Sequence, residues 1–136
     1  ARLATLELFK PGYEHPDAIF VASDHMAFSV MDTIRYELGL RIPEDVSIVG
    51  FDNVPQAEWG SYELTTFNQP LDVMVEATAS LLQERLSDKE KSEGKNIVVS
   101  GELIVRKSAK MISEQSARKL ETKRTSKVKP KISTPP

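Results

Sequence analysis

With 136 residues, 40% of them hydrophobic and 28% charged, and a net charge of −2, the chain suits one domain with a real core. The absence of cysteine excludes disulfides and thiolate chemistry, and two histidines, His15 and His25, are too few and too far apart for a metal site. No apolar run reaches membrane-spanning length and no signal peptide opens the chain, which points to a cytoplasmic location.

Arg2–Phe9 is expected to be the end of a helix, with Leu3, Leu6 and Phe9 on one side. Pro11-Gly12 breaks it and Pro16-Asp17 marks a turn. Ala18–Ala22 is a continuous apolar run, typical of a strand buried on both faces. Ser23 and Asp24 are both good N-cap types, so a helix starts there. Its stripe is Ala27, Val30, Met31, Ile34 and Leu38, and Gly39 falls where a left-handed C-cap is expected. Val46–Gly50 is the next buried strand, completing a βαβ unit of right-handed connection.

Asn53–Glu63 is a loop with room for a short helical turn, and Leu64–Phe67 a short strand. Pro70 suits the first turn of a helix whose stripe runs through Leu71, Met74, Val75, Thr78, Leu81, Leu82 and Leu86. A charged loop, Ser87–Lys95, precedes two expected strands, Asn96–Val99 and Glu102–Val105. Ser113–Leu120 has the pattern of a short helix, and Lys123–Pro136 is rich in Lys, Ser, Thr and Pro.

Charge divides the chain. Residues 1–105 carry 8 basic and 18 acidic side chains, and residues 106–136 carry 10 basic and 2 acidic. A basic tail of this kind can touch nucleic acid or an acidic surface. The plainer reading, which we favour, is a solvated and poorly ordered terminus.

The stretch Leu38–Asn53, LGLRIPEDVSIVGFDN, is the most informative one. It takes a helix end through a Pro-marked turn into a strand that delivers Asp52 to its carboxyl end, where ligands bind in open parallel sheets. With PDAIFVASDHMAFSVMDTIR before it and LTTFNQP and GELIVRKS after it, the stretch resembles the effector-binding domain of lac/gal repressor-type bacterial transcription regulators. Four ordered motifs between about Asp17 and Lys107 make the resemblance specific. It implies an α/β fold with a mainly parallel sheet flanked by helices, one lobe of a fold shared with periplasmic sugar-binding proteins. Residues 1–107 would form the second, C-terminal lobe and 108–136 the basic tail. The first lobe and the DNA-binding helix-turn-helix would precede Ala1.

Ser23, Asp52 and Gln69 each follow an expected strand, so their side chains can converge on one crevice. A carboxylate and an amide are the groups that grip sugar hydroxyls. By resemblance, Asp52 takes the family's effector-contacting Asp, Gln69 a crevice Gln, and Ser23 the place where many members have an effector-contacting Asn. Each also has a plainer role. Asp52 suits an Asx turn, Gln69 and Ser23 suit helix capping, and Asp24 suits a cap or helix-dipole partner better than a ligand contact.

Phe28 lies about 100° around the helix from Ala27, off the apolar stripe. By resemblance, Phe28 and the loop residue Trp59 belong to a surface where two effector domains dimerise; covering loops or the other lobe are the alternatives. There is no Ser/His/Asp ordering, phosphate loop or spaced carboxylate pair, so an enzyme is not expected and no cofactor is implied. The expected function is effector sensing and dimerisation in a transcription regulator responsive to a sugar or other small molecule. Its partners are a small-molecule effector, a second copy, and operator DNA through the helix-turn-helix alone, with no membrane. The alternatives are a lobe of a periplasmic-type solute receptor with no DNA role, and a sensing lobe of another signalling protein.

Overall fold

In a computed structural model, residues 1–87 and 95–111 are described. The expected elements Ser113–Leu120 and Lys123–Pro136, and most of the Ser87–Lys95 loop, lie outside them.

The first helix, α1 (Arg2–Leu8), buries Thr5, and the following Phe9 is buried one turn on, while Leu3 points to solvent. The buried side is therefore shifted from the expected Leu3, Leu6 and Phe9 side. Thr5 and Phe9, one turn apart, face the core, while on the exposed side Arg2 forks onto Glu37 with bonds of 2.7 and 2.5 Å. That fork also holds the Glu37 carboxyl below its ordinary range.

Strand β1 (Ala18–Phe20) leads to α2 (Asp24–Asp32), which continues as a wider, π-type turn over Thr33–Glu37. The predicted stripe is the buried one: Ala27, Val30, Met31 and Ile34 are in the core, with Leu38 packed at its edge. Gly39 ends the helix at φ +66°, the left-handed conformation that glycine adopts without steric cost.

Strand β2 (Ser47–Asp52) lies parallel to β1, and β3 (Thr65–Asn68) parallel to β2. A short 3-10 turn, Pro55–Glu58, links β2 to β3. After α3 (Leu71–Ser87), β4 (Glu102–Ile104) returns antiparallel to β3, giving the order β1-β2-β3-β4. Residues 95–100, expected to include a strand, have no regular structure.

One sheet face packs under α2. Ile48 and Leu64 are fully buried there with Val46 and Val21. The opposite face carries an aromatic row. The parallel register sets Phe51 beside Phe67, with ring centroids 5.5 Å apart and planes 6° from parallel, and Phe20 meets Phe51 edge-on at 6.4 Å. Phe20 remains 64% exposed, so β1 is covered on one face only, not on both as its apolar run suggested. Two features explain this. β1 is an edge strand, and α3 buries none of its residues; part of its stripe faces 95–99 across a cavity of about 280 Å³.

The segment after β4 locks the sheet. Ser108 is buried. Its hydroxyl donates to the Ile48 carbonyl at 2.6 Å and accepts from the Thr65 amide at 2.7 Å. The GELIVRKS motif thus ties β2 to β3 from a position some sixty residues along the chain.

The turn into β2 is held by Arg41. Its guanidinium donates to both Asp45 oxygens at 2.8 and 2.9 Å, and its backbone N–H adds a third bond at 2.8 Å. These donors lower the Asp45 carboxyl to about 2. A depressed folded-state value means the contribution is present above the ordinary carboxylate range and is lost as pH falls through about 2. Carbon-detected NMR titration of Asp45 is expected to show that low midpoint, and Arg41→Ala should move it part of the way back. A wild-type midpoint in the ordinary carboxylate range would contradict the fork.

Candidate functional site

The site forms where β2 and β3 end. Their parallel register places Asp52 beside Asn68 and carries the chain on to Gln69. Gln69 Nε2 donates to Asp52 Oδ1 at 2.7 Å, and Asn53 Nδ2 donates to Asn68 Oδ1 at 3.2 Å. Asp52, Asn53, Asn68, Gln69, Pro70, Leu71, Asp72 and Val73 line an open depression of about 420 Å³. Two carboxylates and three amides face one apolar flank. Such a surface offers both donors and acceptors to hydroxyl groups and an apolar wall to a ring face.

The backbone at the site is unusual. Asp52 has φ +129° and Asn53 has φ +56°. Asparagine tolerates the left-handed region, but a φ of this kind is strained for a residue with a Cβ, and such strain clusters at functional sites.

Two groups bond to this turn and its neighbours. Asp24 is fully buried. Its Oδ2 accepts the Val54 amide at 3.0 Å and its Oδ1 accepts the Thr66 hydroxyl at 2.6 Å. Gly50 makes the approach possible, because a Cβ there would stand 2.2 Å from Asp24 Oδ1. Arg106, just past β4, donates from Nη2 to Asn53 Oδ1 at 2.9 Å and from Nη1 to the Leu64 carbonyl at 2.9 Å.

Of the three expected effector residues, the structure brings Asp52 and Gln69 into direct contact. Ser23 stands at the N-cap of α2 with extended backbone (φ −156°, ψ 137°), makes no capping side-chain bond, and does not line the depression. Asn53, Asn68 and Asp72 were not singled out from the sequence. Asn68 was out of its reach, since the place of Asn68 beside Asp52 follows from the register in which Val49 pairs with Thr65.

Phe28 is half-buried at the core edge, stacked on Tyr62 with centroids 4.3 Å apart, while Trp59 is 58% exposed. Tyr62 donates to Asp32 at 3.3 Å, and burial first, then Asp32, raises its phenol above the ordinary value. Among the described residues no three His, Cys, Asp or Glu side chains are grouped to hold a metal ion, and no helix is long and apolar enough to cross a membrane.

Comparison with known proteins agrees with this architecture. Residues 1–109 match the periplasmic binding protein-like domain family. A repressor of Vibrio vulnificus, the HTH-type transcriptional repressor PurR, is 39% identical over 100 residues, which cover 74% of this chain and 29% of the repressor. The chain thus spans under a third of that relative's length. A LacI-family regulator of Enterococcus faecalis, solved with bound ribose, superposes with a TM-score of 0.67 at 36% identity, covering 79% of this chain and 39% of the other. One from Lactobacillus casei, solved with bound sucrose, gives 0.63 at 27% identity, covering 79% and 39%. These relatives are transcription regulators, not enzymes. With its three parallel strands, the helix on their buried face and the family match across most of its length, the chain belongs to the periplasmic binding protein-like domain of LacI-family transcription regulators.

Proposed function

We propose that this chain is the C-terminal lobe of an effector-binding domain and senses a small, hydroxyl-rich molecule, of the sugar class, at the crevice over Asp52 and Gln69. The observation that carries the reading is the Asp52–Gln69 pair, bonded at 2.7 Å at the carboxyl ends of adjacent parallel strands and open to a depression of about 420 Å³. Ribose and sucrose in two relatives support the ligand class. Ser23 takes part only when a ligand reaches past Asp52 toward α2. Effector would bind between this lobe and a first lobe, change the angle between them, and so bias the DNA-bound state by its unequal affinity for the two arrangements. Operator contact belongs to a helix-turn-helix outside this chain.

Half a cleft buries half a ligand, and enclosure supplies most of a small ligand's affinity. Calorimetry with ribose and with sucrose is expected to show millimolar or weaker binding to this chain alone, and far tighter binding of the cognate sugar class to a two-lobed protein that contains it. A micromolar sugar complex of the isolated chain would refute the half-cleft reading.

A homodimer is part of the proposal, with Trp59 and the exposed edge of Phe28 at the contact. Because Phe28 stacks on Tyr62, Trp59 is the cleaner probe. Burying a large aromatic contributes about 1.5–3 kcal/mol, so Trp59→Lys should shift the sedimentation equilibrium of the two-lobed protein toward monomer by roughly tenfold or more. Unchanged association would remove Trp59 from the interface.

A further inference from the structure

Asp24 is a buried carboxylate that does not itself line the depression. Among the described residues no cation pairs with it. What meets it is the Val54 amide, the Thr66 hydroxyl and, from its own place in the first turn, the positive end of α2. A fully buried carboxylate held by neutral donors is costly to keep unless its geometry serves something. Everything it holds leads to the Asp52–Asn53 turn. Val54 is the residue after that turn. Thr66, which donates to Asp24, also accepts the Asn53 amide at 3.4 Å.

Arg106 reaches the same turn from the other side. Its side chain is only 14% exposed, and its Nη2 fixes the Asn53 side-chain oxygen at 2.9 Å, leaving Nδ2 directed at Asn68. The Asn53 backbone N–H, side-chain oxygen and side-chain amide are thus all engaged. That explains how two successive residues keep positive φ at the end of a strand.

We infer that Asp24 and Arg106 are positioning residues of the effector crevice: together they clamp the Asp52–Asn53 turn, one through Val54 and Thr66 and the other through Asn53, and so aim the Asp52 carboxylate at Gln69. The clamp is a statement about the turn. Its consequence for effector affinity rests on the reading of Asp52 as a ligand contact.

The test is NMR on the whole chain, with no ligand, comparing wild type with Asp24→Ala, Thr66→Val, Thr66→Ser and Arg106→Met. Amide exchange at Asn53 and Val54 should rise roughly tenfold in Asp24→Ala, relative to the core amides of Ile48 and Val49, which serve as the stability control. Thr66→Val should free Asn53, and Thr66→Ser, which restores the hydroxyl, should return it to wild type. Arg106→Met should shift the Asn53 side-chain amide while leaving Val54 protected. In Asp24→Ala, Thr66→Val and Arg106→Met the Gln69 side-chain amide should move from its wild-type position, because Asp52 no longer holds it. If Asp24→Ala does not fold, the near-isosteric Thr66→Val interrupts the same link and decides that half. Folded variants in which Gln69 keeps its wild-type resonance would overturn the inference, since the groups would then stabilise the lobe without aiming the site. Calorimetry with ribose on a two-lobed protein bearing the same substitutions separates the two claims. A loosened turn with unchanged sugar binding keeps the clamp and removes Asp52 as a ligand contact.

Discussion

Replacing Asp52 with alanine in a two-lobed protein containing this chain is expected to weaken effector binding roughly 10- to 150-fold. The figure follows from losing a charge-assisted hydrogen bond and stranding its partner, about 1.5–3 kcal/mol. The loss has two parts. The ligand loses a carboxylate acceptor, and Gln69 loses the oxygen that fixes its amide at 2.7 Å, so the second crevice group is also freed to rotate. Folding should survive, because Asp52 is only partly buried and anchors none of the core. Asp52→Gly is the informative companion. At φ +129° the wild-type backbone is strained for any residue with a Cβ, and glycine relieves that strain. The glycine variant should lose effector as fully as the alanine variant while melting higher, by about 1–3 kcal/mol of relieved strain. An effector titration that is unchanged in both variants would reduce Asp52 to a turn residue.

The largest effect on stability is expected at Gly50. A methyl group there would stand 2.2 Å from Asp24 Oδ1 and 2.8 Å from Leu64 Cδ2. Neither neighbour can yield easily. Leu64 is fully buried, and the Asp24 carboxylate is fixed by Val54 and Thr66. Overpacking costs about 1–3 kcal/mol, and displacing the carboxylate strands buried donors at about 1–3 kcal/mol each. Gly50→Ala should therefore lower stability by about 3 kcal/mol or more. For a domain of this size that is a fall in melting temperature on the order of 10–20 °C. Adding Asp24→Ala removes half of the clash, so the double variant should be less destabilised than the two single losses together. A Gly50→Ala protein that melts with the wild type would mean the carboxylate has another place to go.

Much of this lobe was legible in the sequence because the signals are local. The spacing of Ala27, Val30, Met31 and Ile34 specifies which side of α2 is buried, and Gly39 specifies where that helix stops. The motif VGFDN places Asp52 at a strand end, and a strand end in a parallel sheet is a ligand edge whatever surrounds it. The family resemblance, read from four motifs in order, agrees with the match over residues 1–109.

What the tertiary structure alone decided depends on pairs far apart in the chain. Ser23 and Asp24 are neighbours with equal claims as helix caps, yet Asp24 is the one turned inward, onto Thr66 forty-two residues away and against the gap left by Gly50. No local pattern encodes that choice, because it depends on the absence of a Cβ on another strand. The side of α1 that is buried is likewise a tertiary outcome, with Thr5 and Phe9 inward and Leu3 outward, and the exposure of Phe20 follows from an edge position that its own apolar run cannot reveal. By itself the sequence determined most of the elements, though not the region around Asn96–Val99, together with the buried side of α2 and the residue at the crevice edge, since hydrophobic spacing and turn chemistry act within a few residues. The company Asp52 keeps was decided only by the fold: Gln69 bonded to it, Asn68 beside it, and Asp24 and Arg106 holding its turn. Register and long-range hydrogen bonds exist only once strands from distant parts of the chain lie side by side.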